Sequence, residues 1–262
     1  MFNSFKEILK RSLNSRSTPF SKSMPELVRL YFLSYLNKKN EKPVVVKFRG
    51  LNVVSPNYPL FINLINEIFY QEVYANEIQV DTPLIIDAGS NIGISILYFK
   101  SRYPDSEIIG IEPDPQNFNM LKENVSINGF ENIKLINCAL GSSKGETVLY
   151  KEGGNPYLNP SILKVCDVDQ GVKVRLESLT DIISNRDVDL LKMDIEGAEM
   201  IVLKDIIMSG AINKVNSFVL ETHPDNGVSS EEVKSLLIKS GFEVSVNPLN
   251  KNIINAKRIY LP

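Results

Sequence analysis

The sequence is poor in the residues that build covalent or metal frameworks. It has two cysteines, Cys138 and Cys166, and a single histidine, His223, in 262 residues. Two such cysteines give no disulfide framework, and neither stands in a metal-ligand spacing. A reducing compartment is the simplest reading. No stretch reaches about 18 consecutive apolar residues, so no transmembrane helix is expected. The opening "MFNSFKEILKRSLN" lacks the long apolar run and small-residue cleavage site of a secretory signal. The expected address is the cytoplasm, with the inner membrane surface as a second location. Repeats and low-complexity tracts are missing as well.

What is present fits one large α/β domain with a short extension before it, 1–45 ahead of 46–262. Apolar residues make up 43% and charged residues 23%, ordinary for a globular chain. The charge is unevenly spread. Residues 1–50 hold eleven Lys/Arg and three Asp/Glu, a net +8; the chain totals −2, so the rest carries −10. A basic leading segment suits an anionic partner such as a lipid surface, whereas its bland reading is a solvated helical extension. Phe2, Phe5, Ile8, Leu9 and Leu13 follow helical spacing, opposite Lys6, Lys10 and Arg11. That stripe could dock on a membrane, mediate a homo-oligomer or cover a site. A second helix, "PELVRLYFLSYLNKK", is opened by Pro25.

"PVVVKFRGLNVVSP" reads as a hairpin around Arg49-Gly50. "PLFINLINEIFYQEVYANEI" reads as a helix with Leu60, Leu64, Ile65, Ile68 and Phe69 inward. From residue 83 strands and helices alternate. The strands are "PLIIDAG", "SEIIGIEP", "NIKLINCAL", "VDLLKMDI" and "VNSFVLET". The intervening helices include "NIGISILYFKSRY", "PQNFNMLKENVSING" and "GAEMIVLKDIIMSG". "GETVLYKE" and "GVKVRLES" form a β-pair around an irregular loop. A helix capped by Ser229 or Ser230 precedes the last two strands, "FEVSVNP" and "AKRIYL". Continuous apolar strands alternating with helices make a parallel sheet covered on both faces. The final two strands have no helix between them and must pair as an antiparallel hairpin. The expectation is a doubly wound, mostly parallel seven-stranded sheet, the outline of the class I methyltransferase (Rossmann-like) fold.

Such sheets bind ligands at the carboxyl ends of their strands. The first strand ends in Asp87-Ala88-Gly89-Ser90-Asn91-Ile92-Gly93. Gly89 permits a turn with close backbone approach, and Gly93 lets the next helix pack. Asn91 stands where the dinucleotide fingerprint G-x-G-x-x-G needs a glycine. An acidic Asp87 suits a ligand with an amino group and a sulfonium, and S-adenosylmethionine has both. Glu112 ends the second strand, where a carboxylate can accept from both ribose hydroxyls. The same geometry serves NAD. Ala139 and Leu140, after the third strand, leave room for a flat adenine.

These pieces together, "DAGSNIG", "GIEPDPQNFNMLKENV", "NCALG" and above all "LLKMDIEGAE", resemble the FkbM-type family of S-adenosylmethionine-dependent methyltransferases. The resemblance covers roughly residues 60–225, including the upstream segment with Glu67, Phe69 and Tyr74. It implies methyl transfer to a hydroxyl oxygen, with acceptors among sugars of polysaccharides, glycolipids and polyketide natural products. It maps cofactor binding onto Asp87, Gly89, Ser90, Asn91, Gly93, Glu112, Ala139 and Tyr74.

A sugar hydroxyl is a poor nucleophile, so a general base is expected, adding about 10²–10⁴-fold. Asp194 and Glu196 follow the fourth strand; Glu221 and His223 follow the fifth. The sequence offers Asp194 or His223 as base, oriented by Glu196 or Glu221. A lone histidine is more often structural. Glu199, inside the next helix, reads as a partner of the helix dipole, and Gly197 and Ala198 keep that first turn thin. Asp194, Glu221 and His223 could instead hold a divalent cation, a less favoured reading. The 153–170 loop is the expected source of specificity; Tyr157 could stack on a sugar ring, although an exposed loop tyrosine is more often incidental, and Asp167 and Asp169 have no clear role. The rivals are an NAD-linked oxidoreductase and a non-catalytic S-adenosylmethionine-binding module. A nucleic-acid acceptor is not expected, because "DIEG" is not the Asn/Asp-Pro-Pro-aromatic motif such enzymes carry.

Overall fold

The computed structural model describes residues 20–37, 42–150, 161–163 and 171–259. The amphipathic stripe of residues 2–13, Cys166, Tyr157, Asp167 and Asp169 lie outside them. The chain divides into two compact units, Met1–Ala75 and Asn76–Pro262. The first unit thus takes in the hairpin and helix that the sequence groups with the larger domain.

In that first unit, α1 (Phe20–Leu36) begins ahead of Pro25, so the proline stands inside the helix rather than opening it. β1 (Val44–Phe48) and β2 (Leu51–Ser55) form the expected hairpin. Its turn holds Arg49 at φ 47 and Gly50 at φ 82, the positive pair whose twist matches that of the flanking strands. Phe48 meets Phe61, Phe69 and Tyr70 edge-on, with centroids 5.1–6.1 Å away. α2 (Tyr58–Ile65) is capped by Asn57, whose side chain accepts from Leu60 N. The helix does not run on to Ile78 as its apolar pattern suggests. One wide turn, Asn66–Tyr70, follows α2 and closes with Gln71 N on Asn66 O. Glu72, at φ 50, then leaves the helix.

The second unit carries the alternation. β3 (Leu84–Ala88), α3 (Ile94–Arg102), β4 (Glu107–Ile111), α4 (Pro115–Ile127) and β5 (Ile133–Ile136) come first. β6 (Ala139–Gly141), β7 (Gly145–Tyr150) and β8 (Gly171–Ser178) form a small separate sheet in the order β6-β8-β7. α5 (Leu179–Ile183), β9 (Leu190–Met193), α6 (Glu199–Met208), β10 (Ser217–Glu221), α7 (Ser230–Lys239), β11 (Phe242–Val246) and β12 (Ile253–Arg258) complete it. The main sheet has seven strands in the order β11-β12-β10-β9-β3-β4-β5. β10, β9, β3, β4 and β5 run parallel, and the β11–β12 hairpin joins them antiparallel. This is the expected class I, Rossmann-like fold.

β3 and β9 are buried at every position, as strands covered on both faces must be. Leu84, Ile86, Leu191 and Met193 join one core with Val202, Leu203, Ile206, Phe218 and Ile254. Each such side chain stabilises the fold by about 1.5–3 kcal/mol on burial. Two strand limits differ from expectation. "NIKLINCAL" is not one strand, because Asn137 turns the chain between β5 and β6. Its amide donates to Glu112 O (2.8 Å) and Pro113 O (3.0 Å). The last strand starts at Ile253, before the "AKRIYL" segment. Among the described residues no helix is long and apolar enough to cross a membrane.

The chain leaves β3 for β4 and β5 on one side and returns through β9 on the other. The strand order therefore reverses between β3 and β9, where a crevice opens at their carboxyl ends.

Candidate active site

A cleft of about 580 Å³, counted to its open mouth, sits at that switch point. Gly89, Asn91, Ile111, Glu112, Pro113, Cys138, Ala139 and Leu140 line one part; Asp194, Ile195, Glu196 and Ala198 line another. Six residues proposed from sequence, Gly89, Asn91, Glu112, Ala139, Asp194 and Glu196, thus line one cleft.

The turn after β3 is fixed by its own hydrogen bonds. Gly89 N and Ser90 N both donate to Ile111 O at 2.9 Å. Ser90 Oγ donates to Asp87 O and accepts from Ile111 N, so its hydroxyl serves the turn. Gly89 has φ +82, and a Cβ there would stand 1.8 Å from Asp194 O. Only glycine lets the two loops touch. Gly93 likewise lies against Leu121, at the start of α3. Glu112 is 3% exposed. Its carboxylate accepts from Asn91 N and Asp114 N, each at 2.8 Å. Burial outweighs those bonds and pushes its pKa up to about 8. Cys138 is a free thiol that burial pushes to about 11, so it is an unreactive part of the wall.

Asp87 does not face the cleft. It is fully buried and paired with Lys192 Nζ at 3.2 Å, while Ser95 Oγ donates to its other oxygen at 2.5 Å. The positive charge it meets in this structure is the protein's own. Tyr74 is buried in the first unit. Glu221 accepts from Asn250 Nδ2 at 3.3 Å and adds negative charge facing Lys192.

The other part of the cleft is built on the turn between β9 and α6. Glu196 has φ 54, a left-handed conformation that side chains seldom adopt. Its carbonyl accepts from Ser161 Oγ (2.6 Å) and Asn226 Nδ2 (3.1 Å), which anchor that conformation. His223 stands among three carboxylates. Nδ1 lies 2.8 Å from Glu199 Oε1; Nε2 lies 3.1 Å from Glu196 Oε2 and 3.5 Å from Asp194 Oδ1. Glu199 is fully buried and already accepts from Ile195 N and Gly197 N, so it is the acceptor and Nδ1 carries the proton.

Burial opposes charge on the imidazole, but the Glu199 hydrogen bond and the three carboxylates prevail and push its pKa up to about 10. His223 is therefore an imidazolium at neutral pH, with no lone pair for a proton. For Glu196, burial and then Asp194 raise the pKa to about 7, with His223 pulling the other way. The orienting partner of His223 is Glu199, which the sequence assigns only to the helix dipole. Lys192 was also overlooked; a single lysine inside the apolar strand "DLLKM" is the signal it leaves.

Asp194, Glu196 and His223 could also present three ligand atoms to a metal, all within 4.8 Å of one another. Glu196 stands in this set where the sequence suggested Glu221.

Residues 87–244 match the family model described as the Methyltransferase FkbM domain. The chain is 30% identical over 201 residues to Methyltransferase 1 of Beauveria bassiana, covering 69% of this chain and 80% of that one. It is 29% identical over 211 residues to Methyltransferase sdnD of Sordaria araneosa, covering 68% and 81%. Among solved structures, M. jannaschii TYW2 in complex with AdoMet aligns over 84% of this chain and 88% of that one. The identity there is 14% and the TM-score 0.44.

Proposed function

The chain belongs to the FkbM-domain methyltransferases, which use S-adenosylmethionine, and from that premise we propose O-methylation of a hydroxyl, that of a sugar in a glycan, glycolipid or natural product. The observation that carries this reading is the presence of Asp194 and Glu196 in the same cleft as Gly89 and Glu112. One cleft offers a cofactor cradle and a proton acceptor side by side.

The residues present fit the cofactor. Glu112 offers buried carboxylate oxygens to the ribose hydroxyls, and Cys138, Ala139 and Leu140 offer an apolar wall to the adenine. Gly89 and Asn91 bring backbone close. Asp87 acts indirectly, through Lys192 and the turn. When bound, the sulfonium supplies an activated methyl group.

That methyl group would pass to the acceptor oxygen, with sulfur keeping the bonding pair of the C–S bond that breaks. The hydroxyl proton goes to Glu196, whose pKa near 7 suits a base working near neutrality. Asp194 shares the proton-accepting edge. His223 holds both carboxylates in place through Nε2, and Glu199 holds His223. Alignment of the reacting atoms can supply on the order of 7–11 kcal/mol, and the base adds to that.

The second reading keeps the same residues and gives them a divalent cation, supported by the clustering of Asp194, Glu196 and His223. Peripheral membrane contact is supported by α1, which exposes Val28, Phe32, Tyr35 and Leu36. The direct test is calorimetry with S-adenosylmethionine and NAD⁺, followed by methyl transfer from labelled cofactor to deoxysugar, glycolipid and polysaccharide acceptors. Binding of neither nucleotide would refute the reading.

A further inference from the structure

Lys192 is 2% exposed and stands in the middle of the sheet, in register with Asp87 on β3 and Val219 on β10. A buried ammonium is costly unless charges and carbonyls surround it. Here they do. Nζ donates to Gly89 O at 2.6 Å and approaches Ala88 O at 3.5 Å. It pairs with Asp87 Oδ1 at 3.2 Å and with Asp194 Oδ2 at 3.7 Å. From β10, Glu221 adds to the negative field. Burial alone would lower its pKa, but Asp87, Asp194 and Glu221 outweigh it and hold the pKa above its ordinary value.

One cation thus touches both loops of the cleft. Gly89 O belongs to the turn that receives the cofactor, and Asp194 to the turn that receives the acceptor. Asp194 is divided between two cations, Oδ2 toward Lys192 and Oδ1 toward His223. We infer that Lys192 is a positioning residue, a buried ammonium that ties the cofactor turn to Asp194 and registers the two halves of the site. Its charge also reaches the two raised carboxylates, and it lowers the pKa of both Glu112 and Glu196. The inference deepens the proposed methyl transfer and rests on it.

The test is cofactor affinity against pH, with S-adenosylhomocysteine as the titrant in calorimetry from about pH 6 to 9. Lys192→Met leaves Asp87 buried without its cation and is at risk of unfolding. Lys192→Met/Asp87→Asn removes both charges of the pair, and Lys192→Arg keeps the cation. Circular dichroism confirms folding of each. The folded double variant should bind at least about tenfold more weakly near neutral pH. The loss of affinity at low pH should begin at a higher pH, because Glu112 no longer feels the ammonium. Lys192→Arg should recover part of both effects. A folded double variant with wild-type affinity and pH dependence would overturn the inference. So would weaker binding with an unmoved pH dependence, the mark of a purely structural role. Failure of the wild-type chain to bind at all is a different result, and it would take down the methyltransferase reading itself.

Discussion

Glu199 holds His223 by its Nδ1 at 2.8 Å, from a carboxylate with no exposed surface. This bond is the largest force raising the imidazole's pKa from its ordinary 6.5 to about 10, against its burial. A group raised in this way stabilises the fold fully below its unfolded value, and the gain is lost as pH rises through the folded value. Glu196 and Glu112 obey the same sign, with pKa values raised from 4.5 to about 7 and about 8. All three contributions shrink in one direction. The cofactor-free protein should therefore lose stability as pH rises between about 5 and 10. Urea unfolding at a series of pH values measures this, and a flat or rising curve would contradict it. Glu199→Gln should flatten the portion between pH 7 and 10.

Turnover separates the roles inside the cluster. Glu196→Gln should lower kcat by about 10²–10⁴-fold and leave cofactor affinity within a few-fold of wild type. The wild-type rate should fall below about pH 7, as Glu196 takes up its proton. His223→Ala removes the cation that lowers Glu196, so that acidic limb should move to higher pH. Glu221→Gln, whose partner is Asn250, should cost less than about tenfold. Full activity of Glu196→Gln would remove it from the mechanism.

Gly89 gives the sharpest steric prediction. Its φ of +82 and the 1.8 Å approach of a Cβ to Asp194 O leave no room for alanine. Because Asp194 O is backbone, one of the two loops must move. Gly89→Ala should destabilise the fold by more than about 1 kcal/mol and weaken cofactor binding more than tenfold. Thermal unfolding and calorimetry measure the two effects. Wild-type behaviour in both would mean the turn is not fixed as described.

The architecture was legible because its cause is local. Uninterrupted apolar strands such as "LIIDA" and "LLKM", each followed by a helix, dictate a covered parallel sheet, and the missing last helix dictates the hairpin. Asp194 and Glu196 were legible as the residues leaving a strand at its carboxyl end. What escaped depends on register and distance. Lys192 is the partner of Asp87 only because β9 lies beside β3 with those two residues opposite, a relation 105 positions apart in sequence. Glu199 meets His223 only after α6 and the end of β10 are brought together. The split of β5 from β6 comes from the Asn137 amide binding two carbonyls, which no apolar pattern encodes.

Metal removal decides between the two readings of the carboxylate cluster. If Glu196 is the base, activity after exhaustive EDTA treatment should stay within about twofold of the untreated enzyme, and added Mn²⁺ should not raise it. If Asp194, Glu196 and His223 hold a cation, loss of activity with recovery on adding Mn²⁺ is required. A ligating imidazole must be deprotonated, so a cation bound there would displace a proton from His223, and its affinity should rise with pH.

The first unit makes its own prediction. Val28, Phe32, Tyr35 and Leu36 recur at helical spacing on α1 and are 47–67% exposed. The first fifty residues carry a net +8. An apolar face set in a basic segment suits an anionic lipid surface, with modest affinity that salt should weaken. The 262-residue chain should co-sediment with vesicles of phosphatidylglycerol and phosphatidylcholine at low salt. It should release at high salt and bind poorly to vesicles of phosphatidylcholine alone. Phe32→Ser/Tyr35→Ser should reduce pelleting several-fold without altering cofactor affinity, since neither residue lies in the unit that holds the cleft. Equal pelleting of variant and wild type would assign those side chains another role. A second copy of the chain covering the face would show instead as a concentration-dependent dimer in sedimentation velocity.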